Sequence, residues 1–166
     1  MTREIRQTLS SSRMPRIELD DLSRPQVLAL LEEHLGNMYE LSPPHQVCGS
    51  DASKLKSPGV TFWTAWNGEL LLGCAALKEL SATEGEIKSM RTPNALRRTG
   101  AGRALLNHII EVARSRAYRV LYLETGRHPA FLPAQTLYRS AGFVLCEPFG
   151  SYRENGNSVF MSMPVA

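Results

Sequence analysis

The chain has 166 residues, 43% of them hydrophobic and 21% charged, and a formal net charge of +3. That length suits one domain with one core, and the composition is ordinary for a globular chain. No apolar run approaches the ~18 residues of a membrane span, and so mild a charge does not announce a nucleic-acid binder.

Residues 1–14, with Arg3, Arg6 and Arg13, read as a polar, disordered lead-in without the apolar core of a secretory signal. Residues 15–166 read as the single domain. The three cysteines (Cys48, Cys74, Cys146) are odd in number and widely spaced, so they make neither a disulfide framework nor a zinc pattern. A reducing cytoplasm is the expected place of work.

Arg16 to Asp20 alternates polar and apolar, which predicts a first strand. Ser23 and Pro25 open a helix whose apolar positions run from Val27 to Met38, and Ser42-Pro43-Pro44 ends it. Val60 to Trp66 is rich in β-formers, Asn67-Gly68 signals a hairpin, and Glu69 to Leu77 returns. A polar turn near Thr83-Glu84-Gly85 leads into a strand over 86–91. Leu105 to Ala113 fits a half-buried helix. A strand over 119–124, a helix over 133–141 and strands over 143–146 and 158–163 complete a mixed α/β layer.

Arg97-Arg98-Thr99-Gly100-Ala101-Gly102 precedes the second long helix. Helix N-termini offer free N–H groups and partial positive charge to phosphates, and glycine lets backbone approach a ligand. Arg91, Arg97, Arg98 and Arg103 add local positive charge suited to an anionic small ligand. A Walker loop would need Lys where Arg103 stands, and a dinucleotide fingerprint would need a small residue at Leu105. Both fail.

The loop resembles the Arg/Gln-x-x-Gly-x-Gly/Ala motif of the GCN5-related N-acetyltransferases (GNAT). A second family motif, Ala-x-x-Leu-Tyr-x-x-x-Gly-Phe, stands complete as Ala134, Leu137, Tyr138, Gly142 and Phe143. Glu86 lies eleven residues before Arg97, the separation at which histone-type members place a catalytic glutamate. The stretches 86–92, 123–126 and 146–149 look similar to the bacterial YsnE-like branch. Phe131 departs from the pattern, because many members carry Asn there for the pantetheine arm; Thr125 or Arg127 would take part of that role.

The resemblance implies a GNAT fold: a mostly antiparallel mixed sheet of six to seven strands, helices on both faces, and a splay between the fourth and fifth strands. It also implies acetyl-CoA as acyl donor, no metal, and direct transfer in a ternary complex to a primary amine of a small molecule. Met90 and Thr92 would hold pantetheine by their backbone, and Met90 N–H would face the oxyanion. Arg91, Arg97, Arg98, Thr99, Gly100, Ala101, Gly102 and Arg103 would hold the diphosphate, with Thr125 nearby. Tyr138 would protonate the CoA thiolate, or else pack as a half-buried Tyr. Glu86, sharing a strand face with Lys88 and Met90 by alternation, would be the general base; its alternative is a salt bridge with Lys88. Glu79, Glu84 and Glu124 are less well placed by spacing.

The acceptor region would draw on His34, Met38, Ser42 and Trp63, with Glu40, His45 and Phe62 nearby; a Cys48–His45 nucleophile pair is disfavoured. The alternatives are a protein or peptide acetyltransferase and a non-catalytic acyl-CoA-binding module. A nucleic-acid contact ranks last, and neither a membrane partner nor a homodimer is required by any residue.

Overall fold

The computed structural model describes residues 14–41, 52–93, 96–97 and 99–166, with backbone alone for 37–41. All of the expected lead-in except Met14 therefore falls outside the described residues, as does the loop around Ser42. An edge strand, β1 (Arg16–Leu19), runs into helix α1 (Pro25–Leu41). A short helix α2 (Ala52–Leu55) follows, which the sequence patterning did not foresee because four residues are too few to show a period.

Two tight turns build the next three strands, β2 (Val60–Asn67), β3 (Leu70–Ser81) and β4 (Glu84–Arg91). In the first, Asn67 pairs with Leu70, so Gly68 and Glu69 are the central residues. Gly68 alone carries positive φ, 59°, as a II′ turn with glycine first requires. The second turn comes earlier than the polar residues suggested, since Ser81 already pairs with Glu84. Gly85 sits inside β4, where a Cβ would come within 2.8 Å of the Tyr118 ring.

Helix α3 (Ala101–Ser115) crosses over to β5 (Val120–Gly126), which lies parallel to β4. A 3-10 turn (Pro129–Phe131) leads into α4 (Leu132–Ala141), and β6 (Val144–Leu145) and β7 (Ser158–Pro164) close the sheet. The seven strands run in the order β1-β2-β3-β4-β5-β7-β6. This is the mixed sheet with helices on both faces that the resemblance implied, at the upper end of the expected strand count.

Strand alternation sorts the core into two layers. Phe62, Trp66, Leu71, Cys74 and Ala76 meet Val27, Leu30 and Leu31 of α1 and Leu55 of α2. On the other face Trp63, Ala65, Leu77, Ile87, Leu121 and Leu123 meet α3, together with Tyr138 and Phe143. Helix α3 contributes Leu105, Leu106, Ile109 and Ile110, all buried. Each such side chain is worth about 1.5–3 kcal/mol relative to exposure.

Candidate active site

The β4–β5 seam closes for only half its length. Their parallel pairing runs from Glu84↔Val120 to Ile87↔Leu123 and goes no further, although β4 continues to Arg91 and β5 to Gly126. The cause lies in β4. Cys74 pairs with Arg91 and Ala76 with Lys88, so Ser89 and Met90 together oppose the single residue Ala75. Such a bulge bends its strand and breaks the ladder. Ser89 carries it at φ 51°, a left-handed value that L-residues seldom adopt.

The bulge also reverses the side-chain alternation beyond it. Lys88 stays on the α1 face with Glu86, but Met90 packs into the α3-side core. Arg91 instead reaches α1, where its guanidinium donates to Glu33 at 3.2 Å. The expectation that Met90 shares a face with Glu86 and Lys88 is thereby corrected: one extra residue resets a period of two.

Next to the open seam, α3 begins at Gly100 with φ 86° and no side-chain cap. A Cβ at Gly100 would meet nothing within 4 Å, so glycine is needed there for conformation. Gly102 has a different reason, since its Cβ would come 3.3 Å from Leu137 of α4. Ala101 N–H reaches Thr99 Oγ1 at a long 3.4 Å, and the following N–H groups of the first turn have no intrahelical acceptor.

The arginines divide. Arg97 is exposed near this turn, Arg98 lies outside the described residues, and Arg103 donates to Ser140 of α4 at 2.6 Å. Arg91 is turned inward, its side chain 12% exposed. Thr92 lies beside Gly73 of β3, where a Cβ would be 3.2 Å from the Thr92 methyl.

Tyr138 projects from α4 into the α3-side core, edge-on to Phe143 at 5.9 Å. Burial raises its phenol well above the ordinary range, and the negative charge of Glu124 raises it further, so the hydroxyl stays protonated. Thr125 is partly buried on β5. Gly126 ends that strand beneath the Phe131 ring, which a Cβ would overlap. Gln135 donates to the Gly126 carbonyl at 2.8 Å, a polar anchor that no motif flagged.

Glu86 is 3% exposed and already engaged. Its Oε2 accepts from Tyr152 at 2.6 Å and from Lys88 at 3.4 Å. The salt bridge posed as the alternative to a catalytic role is thus formed. Tyr152 arrives from the loop between β6 and β7, inside an aromatic cluster with Phe149 and Phe160. Glu124 stands one residue past the last β4–β5 pair, hydrogen-bonded to Ser158. Burial raises its carboxyl, Ser158 opposes the rise, Glu86 adds to it and Lys88 opposes it. Leu121 and Leu123 face the α3-side core, which turns Glu124 toward the Glu86 face.

Of the acceptor residues, His34 lies on α1 with a buried Nδ1 that meets no partner. Burial first and the charge of Arg91 second lower it to about 4, against the opposing charge of Glu33. Met38 falls in α1 with its side chain outside the described residues, and Ser42 is not described. Trp63 does not join them. It sits on the opposite face, 4% exposed and edge-on to His108 of α3 at 5.3 Å, because odd positions of β2 face α3. Among the described residues no His, Cys, Asp and Glu group could hold a metal ion. No helix there is long and apolar enough to cross a membrane.

A family model described as the acetyltransferase (GNAT) family matches residues 25–143. The chain is 50% identical to the uncharacterized N-acetyltransferase YsnE of Bacillus subtilis, over 88% of this chain and 97% of that protein. It is 46% identical to the uncharacterized N-acetyltransferase YedL of Escherichia coli, over 89% and 92% respectively. A solved structure from Klebsiella pneumoniae, described as an acyl-CoA N-acyltransferase, superposes with a TM-score of 0.74 at 25% identity, covering 92% of this chain and 99% of that one.

Proposed function

Since the chain belongs to the acetyltransferase (GNAT) family and is an acyltransferase, we propose that it moves an acetyl group from acetyl-CoA directly to a primary amine of a small molecule. The observation that carries this reading is the half-open β4–β5 seam beside a helix that starts at an uncapped left-handed glycine. An extended pantetheine arm pairs with the strand edges left beyond Ile87 and Leu123, as an added strand would. The diphosphate meets the first turn of α3, where the N–H groups from Ala101 to Arg103 and the exposed Arg97 favour negative charge.

The acyl carbon then sits where the seam opens between the two faces of the sheet. Met90 N–H stabilises the charge that develops on the carbonyl oxygen. Tyr138 approaches from the α4 side and gives its proton to the departing sulfur. A phenol kept protonated by burial suits that role, because it enters each cycle as a donor. The amine comes from the α1 face, near Glu86, Glu124 and Lys88. Glu86, already bound by Lys88 and Tyr152, orders this face. Cys74 and Cys146 are free thiols, in keeping with work in a reducing cytoplasm.

Donor binding is the first test. Saturating acetyl-CoA should raise the melting temperature, by about 2.7 kcal/mol of added stability at a hundredfold excess over Kd. Gly100→Val should abolish the rise, and no rise in the wild type refutes the reading. Release of free CoA across a set of small amines then identifies the acceptor.

A further inference from the structure

Resting on the acetyl-transfer reading, the α1 face beside the open seam narrows the class of acceptor. Residues three apart on a regular strand point to opposite faces. The surplus residue at Ser89 cancels that rule, so Lys88 and Arg91 both stand on the α1 face, one on each side of the bulge. Both are largely withdrawn from solvent, with side chains 15% and 12% exposed. Each cation has an acid beside it: Glu86 lies 3.4 Å from Lys88, and Glu33 of α1 lies 3.2 Å from Arg91.

His34 follows Glu33 on α1, close enough to Arg91 for that charge to act on its ring. Part of the ring is exposed, yet its Nδ1 is buried and meets no partner. A brace between α1 and β4 needs only Glu33 and Arg91, and it gives no reason for an imidazole nitrogen left unsatisfied. Buried polar atoms are nearly always hydrogen-bonded, and an unmet one costs the full desolvation of the group. A polar group of the acceptor accounts for it. Burial and Arg91 keep the ring neutral at physiological pH, and the tautomer protonated at Nδ1 donates there.

We propose that the acceptor is an amino acid, an amine that also carries a carboxylate, and that Arg91 and His34 hold this carboxylate on the α1 face. One carboxylate oxygen takes the Nδ1–H of His34, and the other meets the Arg91 guanidinium, whose planar donors match it. Arg91 directly follows Met90, whose N–H faces the acyl oxygen on this reading, so amine and carboxylate belong a few bonds apart. Charge limits the choice further. Glu33 offsets Arg91 and the neutral imidazole adds nothing, which suits one negative charge and opposes a dianionic phosphate. A polyamine would set its second ammonium against Lys88 and Arg91, a like-charge conflict.

The test uses the full chain, acetyl-CoA and four probe acceptors: L-phenylalanine, L-methionine, β-alanine and 4-aminobutyrate. Each is compared, by release of free CoA, with the amine that lacks its carboxylate. At least one amino acid should exceed its counterpart in kcat/KM by ~10–100-fold, the worth of charged hydrogen bonds. His34→Leu and Arg91→Met should each bring that ratio towards unity, mainly by raising KM for the amino acid. His34→Asn, whose amide nitrogen takes the place of Nδ1, should recover part of it. Arg91→Lys should recover less than half, because a point charge lacks the fork. Should Arg91→Met fail to fold, His34→Leu carries the test, since it removes an unsatisfied buried atom and should not lower the melting temperature. Counterparts that match or beat every amino acid overturn the proposal, as does a ratio that survives His34→Leu. If no probe turns over, the CoA-loaded chain is titrated with the four N-acetyl amino acids. Binding that weakens in His34→Leu supports the proposal; binding by none of them, or binding that the variant keeps, overturns it. If acetyl-CoA leaves the wild-type melting temperature unmoved, the acetyl-transfer reading falls and takes this inference with it. If the shift is present and the carboxylate preference is not, only the acceptor assignment falls.

Discussion

The two halves of β4 share a strand and little else. From Glu84 to Ile87 the strand has a neighbour on each side, and Gly85 is pressed against Tyr118 and Leu77. From Lys88 to Arg91 it keeps only β3, and its side chains divide: Lys88 meets Tyr152, Met90 packs on the α3 side and Arg91 turns in to Glu33 of α1. Nothing in β-propensity separates the halves, since Lys88-Ser89-Met90-Arg91 is no worse a strand than Glu84-Gly85-Glu86-Ile87. One surplus residue at Ser89 makes the difference. The first half holds the sheet together, and the second offers unsatisfied backbone to a ligand.

That contrast breaks most visibly in catalysis. Tyr138→Phe should lower turnover by ~10²–10⁴ and leave the acetyl-CoA shift in melting temperature intact; a rate within twofold of wild type removes Tyr138 from the chemistry.

The open half should also be where stability responds to acid. His34, beside Arg91 and Glu33, is lowered from 6.5 to about 4 by burial first and by Arg91 second. The unfolded chain then binds more protons between those two values, so stability rises with pH across that window and is flat above it. The loss on acidification should approach about 2–3 kcal/mol. Urea midpoints at pH 5 and pH 7.5 measure it, and His34→Asn should flatten that part of the profile.

The closed half is broken by filling it. Gly85→Ala puts a methyl within 2.8 Å of the Tyr118 ring and 2.9 Å of Leu77. Overpacking of this kind costs about 1–3 kcal/mol, a fall of several degrees in a thermal scan. An unchanged scan would mean that Tyr118 swings aside freely. Ser89→Gly is the mildest test. It relieves ~1–2 kcal/mol of left-handed strain against ~0.5–1 kcal/mol of added chain entropy, so the melting temperature should hold or rise slightly. A marked fall would show that the serine side chain itself supports the bulge.

Much of this was legible in the residues because it is written locally. The β-formers of β2, the Gly68 hairpin and the apolar stripe of α3 need only neighbours a few positions apart, and the elements they predict are present. The glycine before α3 was equally readable, although Gly102 proved to serve the packing of Leu137. What could not be read depends on counting across strands. The bulge exists only relative to Ala75, so Met90 was assigned to the wrong face and the inward turn of Arg91 went unseen. Trp63 was misplaced for a simpler reason: membership of an aromatic run says nothing about which face a side chain takes until the register is known. Tyr152 comes from a loop 66 positions beyond Glu86, and no periodicity links them.

Gly73 of β3 stands behind the bulge, and any side chain there would strike the Arg91 carbonyl at 2.9 Å. The bulge is therefore a joint property of two strands, one supplying the extra residue and the other supplying room for it. Anyone transplanting this seam into a designed sheet, by copying β4 and the α3 loop alone, would carry over the key without the lock. The portable unit is the β3–β4 hairpin together with α3, and Gly73 is the position at which a well-meant stabilising mutation would close the door.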